Sequence, residues 1–492
     1  MATIIEQQPV FNSSVAAMPV GQPVIFAVSN NLLVANQIKV KFIAEVHISS
    51  GLTPNLSTNI QRIGTFKTTP NNKGVGMFDF RPIIESHIKA DNLARAGSIG
   101  GITEYKGVPN LLTSPRPLHL IDKFSGADNI LRWVAIKFKV EYLDQEEYLP
   151  GGAVNPDYNT IITSTDEANS ESFEIFNGYV KSTDQFKQSA TGVNFGLSMN
   201  DFKLDGSTKK FLTNASTTQY ANITDYGTVG LLITGNLYDS SQNPTGVKTL
   251  SLEYYDSSDV QLATEFVHIT SANGAFPWSL RANAPNRILY AGIYPANLRG
   301  WSSKFQTIVA NDTISYYTVV AQTASYVDVS QPYRINVNCP TLKGYEPIRL
   351  TWLNQWGVWD YYTFRLKSTR KISTKGSTYN QLGGSWNESA YRLDSFKGGK
   401  KAFRVNSTEM ITMNTDFVNE SEGVWFEELI NSPEVYMLDG YQVNIQNSAL
   451  NQYVIPVRLT TSSYTKKTVA NDRLMQYTFE VEKSKTLRTQ SV

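Results

Sequence analysis

Hydrophobic positions in this chain recur mainly at every second residue, the period of a strand with one face turned to a core. Val40, Phe42, Ala44, Val46 and Ile48 alternate with Lys41, Glu45 and His47. Val134, Ile136, Phe138, Val140 and Tyr142 alternate with Lys137, Lys139 and Glu141. The rhythm returns at Leu250, Leu252 and Tyr254 after a turn at 243–246, at Ile314, Tyr316 and Thr318, at 453–459 and at 475–481. Such runs, separated by Gly, Asn, Asp, Ser and Pro clusters, predict an all-β chain rather than βαβ units. The expected architecture is several β-sandwich modules, immunoglobulin- or fibronectin-like or jelly-roll-like, with a few short helices. One helix is predicted over 80–90, with a proline near its first turn and Ile83, Ile84 and Ile88 on one face. Another is predicted over 421–430, with Trp425, Leu429 and Ile430 on one stripe and a stop at Asn431-Ser432-Pro433.

The densest signal lies at 347–368. Three tryptophans, two tyrosines and a phenylalanine crowd two extended runs there. Ile348, Leu350 and Trp352 alternate with Arg349, Thr351 and Leu353; Tyr362, Phe364 and Leu366 alternate with Thr363, Arg365 and Lys367. This predicts a half-buried hairpin turning through Asn354 to Gly357. Trp352, Trp356, Trp359, Tyr361, Tyr362 and Phe364, together with Trp425, are the candidate packing or interface residues. In an alternative reading, Trp356, Trp359 and Tyr361 are exposed and stack on sugar faces, because amphipathic rings suit wet binding surfaces.

At 492 residues the chain exceeds what one core supports. A polar, turn-rich stretch at 151–170 and a Pro- and Gly-bearing stretch at 331–344 place three modules. These are 1–155, an N-terminal arm plus a sandwich; 156–335, a middle β-rich module; and 336–492, a sandwich with the aromatic hairpin and a short helix. The first 18 residues read as an extended arm that orders against a neighbour.

Lys and Arg number 44 against 43 Asp and Glu, so the net charge of +1 gives no electrostatic case for nucleic acid or an acidic membrane as partner. The single cysteine, Cys339, has no disulfide or CxxC partner and reads as a small buried apolar side chain. The first residues lack a basic and apolar signal pattern, and no run reaches the roughly 18 apolar residues a membrane-spanning helix needs.

Chemistry-bearing motifs are sparse. His47, His87, His119 and His268 are far apart in sequence, so no metal site is predicted. No GxSxG elbow occurs, and the pairs Gly151-Gly152, Gly383-Gly384 and Gly398-Gly399 lack phosphate-loop spacing. Carboxylates beside aromatics, Asp79, Asp360, Glu427 and Glu428, are the candidates for a glycosidase pair. The segments 201–206 and 256–259 are too sparse in oxygen ligands for calcium and read as turns. No cofactor and no catalytic residue is predicted.

Five segments, in order, carry a resemblance. They are PVIFAVSN with KVKFIAEVHI and GVGMFDFRPIIESHI; KKFLTNASTTQYANITDYGTVGLL; IRLTWLNQWGVWDYYTFRL; WFEELINSPEVYML; and NDRLMQYTFEVEKS. Together the chain resembles the β-rich virion structural proteins of tailed bacteriophages, including marine and gut phages. The resemblance implies a non-enzymatic particle component of the tail, collar or attached fibres. It would be assembled in the host cytoplasm, homo-oligomeric, with other virion proteins as partners. The alternative is a phage adhesin that binds or cleaves host-surface glycans.

Overall fold

The computed structural model describes residues 2–9, 18–49, 61–94, 98–99, 102–103, 117–121, 123–127, 129–148, 150–179, 181, 199, 201–233, 247–268, 288–338, 344–439, 453–461, 463, 475–485 and 487–488. The turn at 243–246, Cys339 and most of the first 18 residues fall outside them. Strands dominate and helices are short, so the chain is all-β, with several packed sheets, as its alternation predicts.

The two clearest alternating runs build the first sandwich. Ile38–Ser49 and Leu131–Leu143 pair antiparallel, with Val134 opposite Ile48 and Phe138 opposite Ala44. They sit inside a sheet completed by Met18–Gly21, Phe173–Tyr179 and Gln61–Thr68. A second sheet of Ile4–Gln7, Ile25–Ser29 and Val75–Asp79 shares its core. Phe26 and Phe78 meet Phe138 across the gap at ring-centroid distances of 5.6 and 5.9 Å, within the range of favourable aromatic pairs. The sheets approach so closely that a Cβ on Gly76 would lie 2.5 Å from the Phe42 ring.

The first sheet continues through Tyr179, past the limit placed at 155. Leu131–Leu143 is long enough that three short strands, Ile161–Thr163, Ala168–Asn169 and Phe173–Tyr179, share its edge in succession. The helix expected over 80–90 is only Arg81–Glu85. Beyond it the chain tightens into three-residue turns, with His87 N donating to Ile84 O and Ile88 N to Glu85 O, and Ile88 still reaches the core.

In the middle of the chain, a five-stranded sheet runs in the order Thr218–Asn222, Tyr333–Asn338, Tyr316–Gln322, Thr249–Tyr255 and Gln261–His268. It shares a core with Thr228–Leu232, Ile288–Gly292 and Phe124–Gly126 and with the helices Pro295–Trp301 and Ser303–Ala310.

The last unit is an eight-stranded sheet that starts with Trp359–Phe364, Ile348–Leu353 and Val435–Leu438 and continues with Val454–Leu459 and Thr478–Lys483. Gly399–Asn414 and Thr369–Gln381 close it, and Leu487–Arg488 pairs beside Gly399–Asn414. The helix Glu420–Asn431 packs onto this sheet, started by a capping box between Asn419 and Glu422. Its Trp425, Phe426 and Leu429 enter the core formed by Trp352, Phe364 and Phe479.

Candidate functional site: the aromatic hairpin and the projecting arm

The hairpin forms where the sequence places it. Its strands pair from Ile348 opposite Phe364 to Leu353 opposite Trp359. Asn354 Oδ1 closes the turn by accepting from the backbone N–H of Trp356 at 2.9 Å and Val358 at 3.2 Å. Gly357 takes φ +70, and a Cβ there would collide with the carbonyl of Asn177, so glycine is required twice over. The turn is docked on the first sandwich: Tyr179 N donates to Gln355 O at 2.8 Å.

The expectation of a half-buried hairpin is corrected, because both faces are buried. One face sends Ile348, Leu350, Trp352 and Phe364 into the C-terminal core under Trp425, with Tyr362 packed at its margin. The other sends Trp359 and Tyr361, with Trp356 and Val358 of the turn, into the middle core. The hairpin is thus a wall shared by two cores. Trp356, Trp359 and Tyr361 are only 3%, 1% and 3% exposed, which removes them as sugar-stacking platforms.

Polar residues on the second face are matched across this wall. Asp225 Oδ2 accepts from Thr363 Oγ1 at 2.6 Å and Asn222 N at 2.8 Å, and lies 3.4 Å from Arg349 Nη1. The guanidinium also donates to Tyr226 O and lies 4.6 Å from the centre of the Tyr294 ring. Tyr361 OH is 2.8 Å from both His119 Nδ1 and Thr228 Oγ1. Burial, reinforced by the Arg349 cation, holds the His119 pKa down at about 3, so the imidazole is neutral at physiological pH.

Of the carboxylate candidates, Asp360 and Glu428 are both buried, and Asp360 feels the charge of Glu428. Burial first, and then the neighbouring Glu428, raise the Asp360 pKa to about 7; burial also raises that of Glu428. Their oxygens serve the fold. Asp360 Oδ2 accepts from Trp425 Nε1 at 2.6 Å, and Glu428 Oε2 accepts from Gln355 N at 3.1 Å. Asn214 donates to Glu428 Oε1, tying in the middle module. Neither carboxylate lines the cleft of about 550 Å³ beside Trp425, whose wall carries the Arg365–Asp416 pair at 3.6 Å. Glu427 is partly buried on the same helix, and Asp79 accepts from Val24 N and Arg81 N, fixing the start of the helix Arg81–Glu85.

The other polar candidates also find local roles. Asp256 Oδ1 accepts from Ser258 N and Val260 N in a turn, and Asp205 pairs with Lys203 and Lys209. Among the described residues no group of three or more His, Cys, Asp or Glu is placed to hold a metal ion.

Sequence reasoning missed one feature. Thr369–Gln381 and Gly399–Asn414 form a long ribbon at the edge of the last sheet. Among the described residues only Thr478–Lys483 and Leu487–Arg488 flank it, opposite residues 406–414, and there the remainder stands out with both faces exposed. Its tip carries Trp386 at 67% exposure with Tyr391, Leu393 and Phe396 also exposed; the Trp386 and Tyr391 rings meet edge to face at 5.7 Å. The available signal was the β-branched and polar run at 369–381, without alternation, followed by a segment set off by the glycine pairs at 383–384 and 398–399.

No family model matches the chain, and no curated protein matches it. Among solved structures it aligns with the native conformation of Escherichia coli alpha-2-macroglobulin at 10% identity and a TM-score of 0.13. That alignment covers 98% of this chain and 40% of the other, so the chain spans well under half that protein's length.

Proposed function

We propose that the chain is a structural component of a tailed-phage virion, in the tail, collar or attached fibre region, acting by subunit–subunit assembly and not by catalysis. The observation that carries this reading is the contrast between the buried hairpin and the exposed arm. The aromatics at 352–364 are consumed in joining cores, whereas those at 386–396 are presented at the tip of a ribbon whose root alone, at 406–414, pairs with other described strands. Large exposed apolar groups on a protruding element suit docking to a neighbour. The five ordered segments that resemble phage virion proteins supply the setting. Partners are then other virion proteins and further copies of this chain. Mass spectrometry of gradient-purified particles tests the proposal: peptides of this chain at multi-copy abundance support it, and their absence from mature particles rejects it.

A glycan-binding adhesin is the second reading, now resting on Trp386 and Tyr391 in place of the buried trio. Binding on a glycan array that disappears in Trp386→Ala with an unchanged melting curve would favour it.

A further inference from the structure

The arm is basic as well as aromatic. Residues 369–414 hold eight Lys and Arg against three Asp and Glu, a net of +5 in a chain whose total is +1. Some of these cations are paired locally: Arg370 with Glu346 and Glu409, and Lys397 with Asp394. Lys371, Lys375 and Lys400 are exposed and make no ion pair among the described residues.

The compensating charge lies in one place. Residues 141–174 hold nine Asp and Glu and no Lys or Arg. Glu141 and Glu167 are matched by lysines of the first sheet. Glu146, Glu147, Asp157 and Glu171 are exposed and make no ion pair among the described residues. The same face shows large apolar groups: Tyr148 is 57% exposed, Val154 71% and Ile161 64%. It is also preformed. Asn155 Nδ2 donates to Asp144 Oδ2 at 2.9 Å, Asn155 N donates to Glu147 O, and Tyr148 bridges to Val154, so the described residues on the two sides of the loop are tied to each other within the chain.

We propose that the arm of one copy docks on the 144–161 face of a second copy. This deepens, and rests on, the assembly reading above. The charges within the aromatic tip pair with one another, Arg392 with Glu388 and Asp394 and Lys397 with Asp394. The positive charge therefore sits on the strands below it, at Lys371, Lys375 and Lys400, while free carboxylates flank the apolar groups of the face. An apolar contact at the tip with a charged contact beside it is the arrangement of a specific interface. Trp386, Tyr391, Phe396 and Leu393 would bury on the order of 500 Å² of the arm, and the Lys and Arg stems beside them bring this toward the roughly 800 Å² per partner of a standard interface. Because the two surfaces differ, the contact is heterologous. It generates rings where the rotation closes and filaments where it does not.

Sedimentation velocity of the full chain over a concentration series, at low and high salt, tests this. The wild type is expected to self-associate at low salt and to weaken as salt rises. Lys375→Glu with Lys400→Glu on the arm, and Glu146→Lys with Glu147→Lys on the face, should each weaken association by roughly tenfold or more. Mixing the two variants should restore a one-to-one complex, since one keeps a working face and the other a working arm. A chain carrying both reversals should recover association. Circular dichroism melts confirm that each variant folds. A wild type that stays monomeric at every concentration and salt, or reversals that leave association unchanged, overturns the inference. Presence in particles of a chain that stays monomeric refutes this contact alone, and absence from particles of a chain that self-associates refutes the virion reading alone.

Discussion

Trp359 and Asp360 are neighbours in sequence and anchor in different cores: the Trp359 indole N–H donates to Asp91 O at 2.8 Å, while Asp360 accepts from the Trp425 indole at 2.6 Å. Alternation along one strand sends consecutive side chains to opposite faces, and here each face meets a packed module. The hairpin is therefore buried on both sides and joins the middle module to the C-terminal one.

Truncating either side should unfold rather than disarm. Trp352→Ala or Trp359→Ala is expected to cost about 3–5 kcal/mol, the range for emptying a buried aromatic site. Urea unfolding followed by tryptophan fluorescence checks this. A variant with a wild-type midpoint would mean the ring is not a core residue.

The Arg349–Asp225 pair is buried on both sides, at 4% and 7% side-chain exposure. Arg349→Met alone leaves a buried carboxylate without its cation and should lose about 3–5 kcal/mol. Arg349→Met with Asp225→Asn should recover a measurable part of that loss. A double variant no more stable than the single one would show that the pair is not coupled.

Stability should also depend on pH through Asp360. An acid whose pKa is raised in the fold binds its proton more tightly folded than unfolded. Its contribution is complete below the ordinary carboxylate range and is lost as pH rises through about 7. Melting temperature should therefore fall from pH 5 to pH 8, and Asp360→Asn, which keeps an acceptor for Trp425, should flatten that slope. A profile identical in the two proteins would remove Asp360 as its cause.

Much of the fold was legible because its strands bury one face, so Val40 to Ile48 and Val134 to Tyr142 announce themselves by period. The hairpin's site was legible for the same reason, but its second face was not. Arg349, Thr351 and Thr363 read as solvent-facing, and only tertiary partners such as Asp225 and Tyr294 make them buried. The effect of the Glu428 charge on Asp360 links residues far apart in the chain, and spacing alone does not encode that. The arm was invisible because exposed strands have no hydrophobic rhythm to display.

Trp386→Ala and Phe396→Ala should leave stability within about 0.5 kcal/mol, as expected for surface substitutions, while reducing assembly. Parallel melts and particle-incorporation assays separate the two effects. A large drop in melting temperature would place these rings in a core after all.

The most direct test is a cryo-EM map of purified particles in which this chain can be traced. The account predicts that Trp352, Trp359 and Trp425 lie enclosed within the chain, while the ribbon from 369 to 414 presses its Trp386–Phe396 tip into a neighbouring subunit. A map in which that tip points into solvent on every copy, or in which the chain has no density, would contradict it.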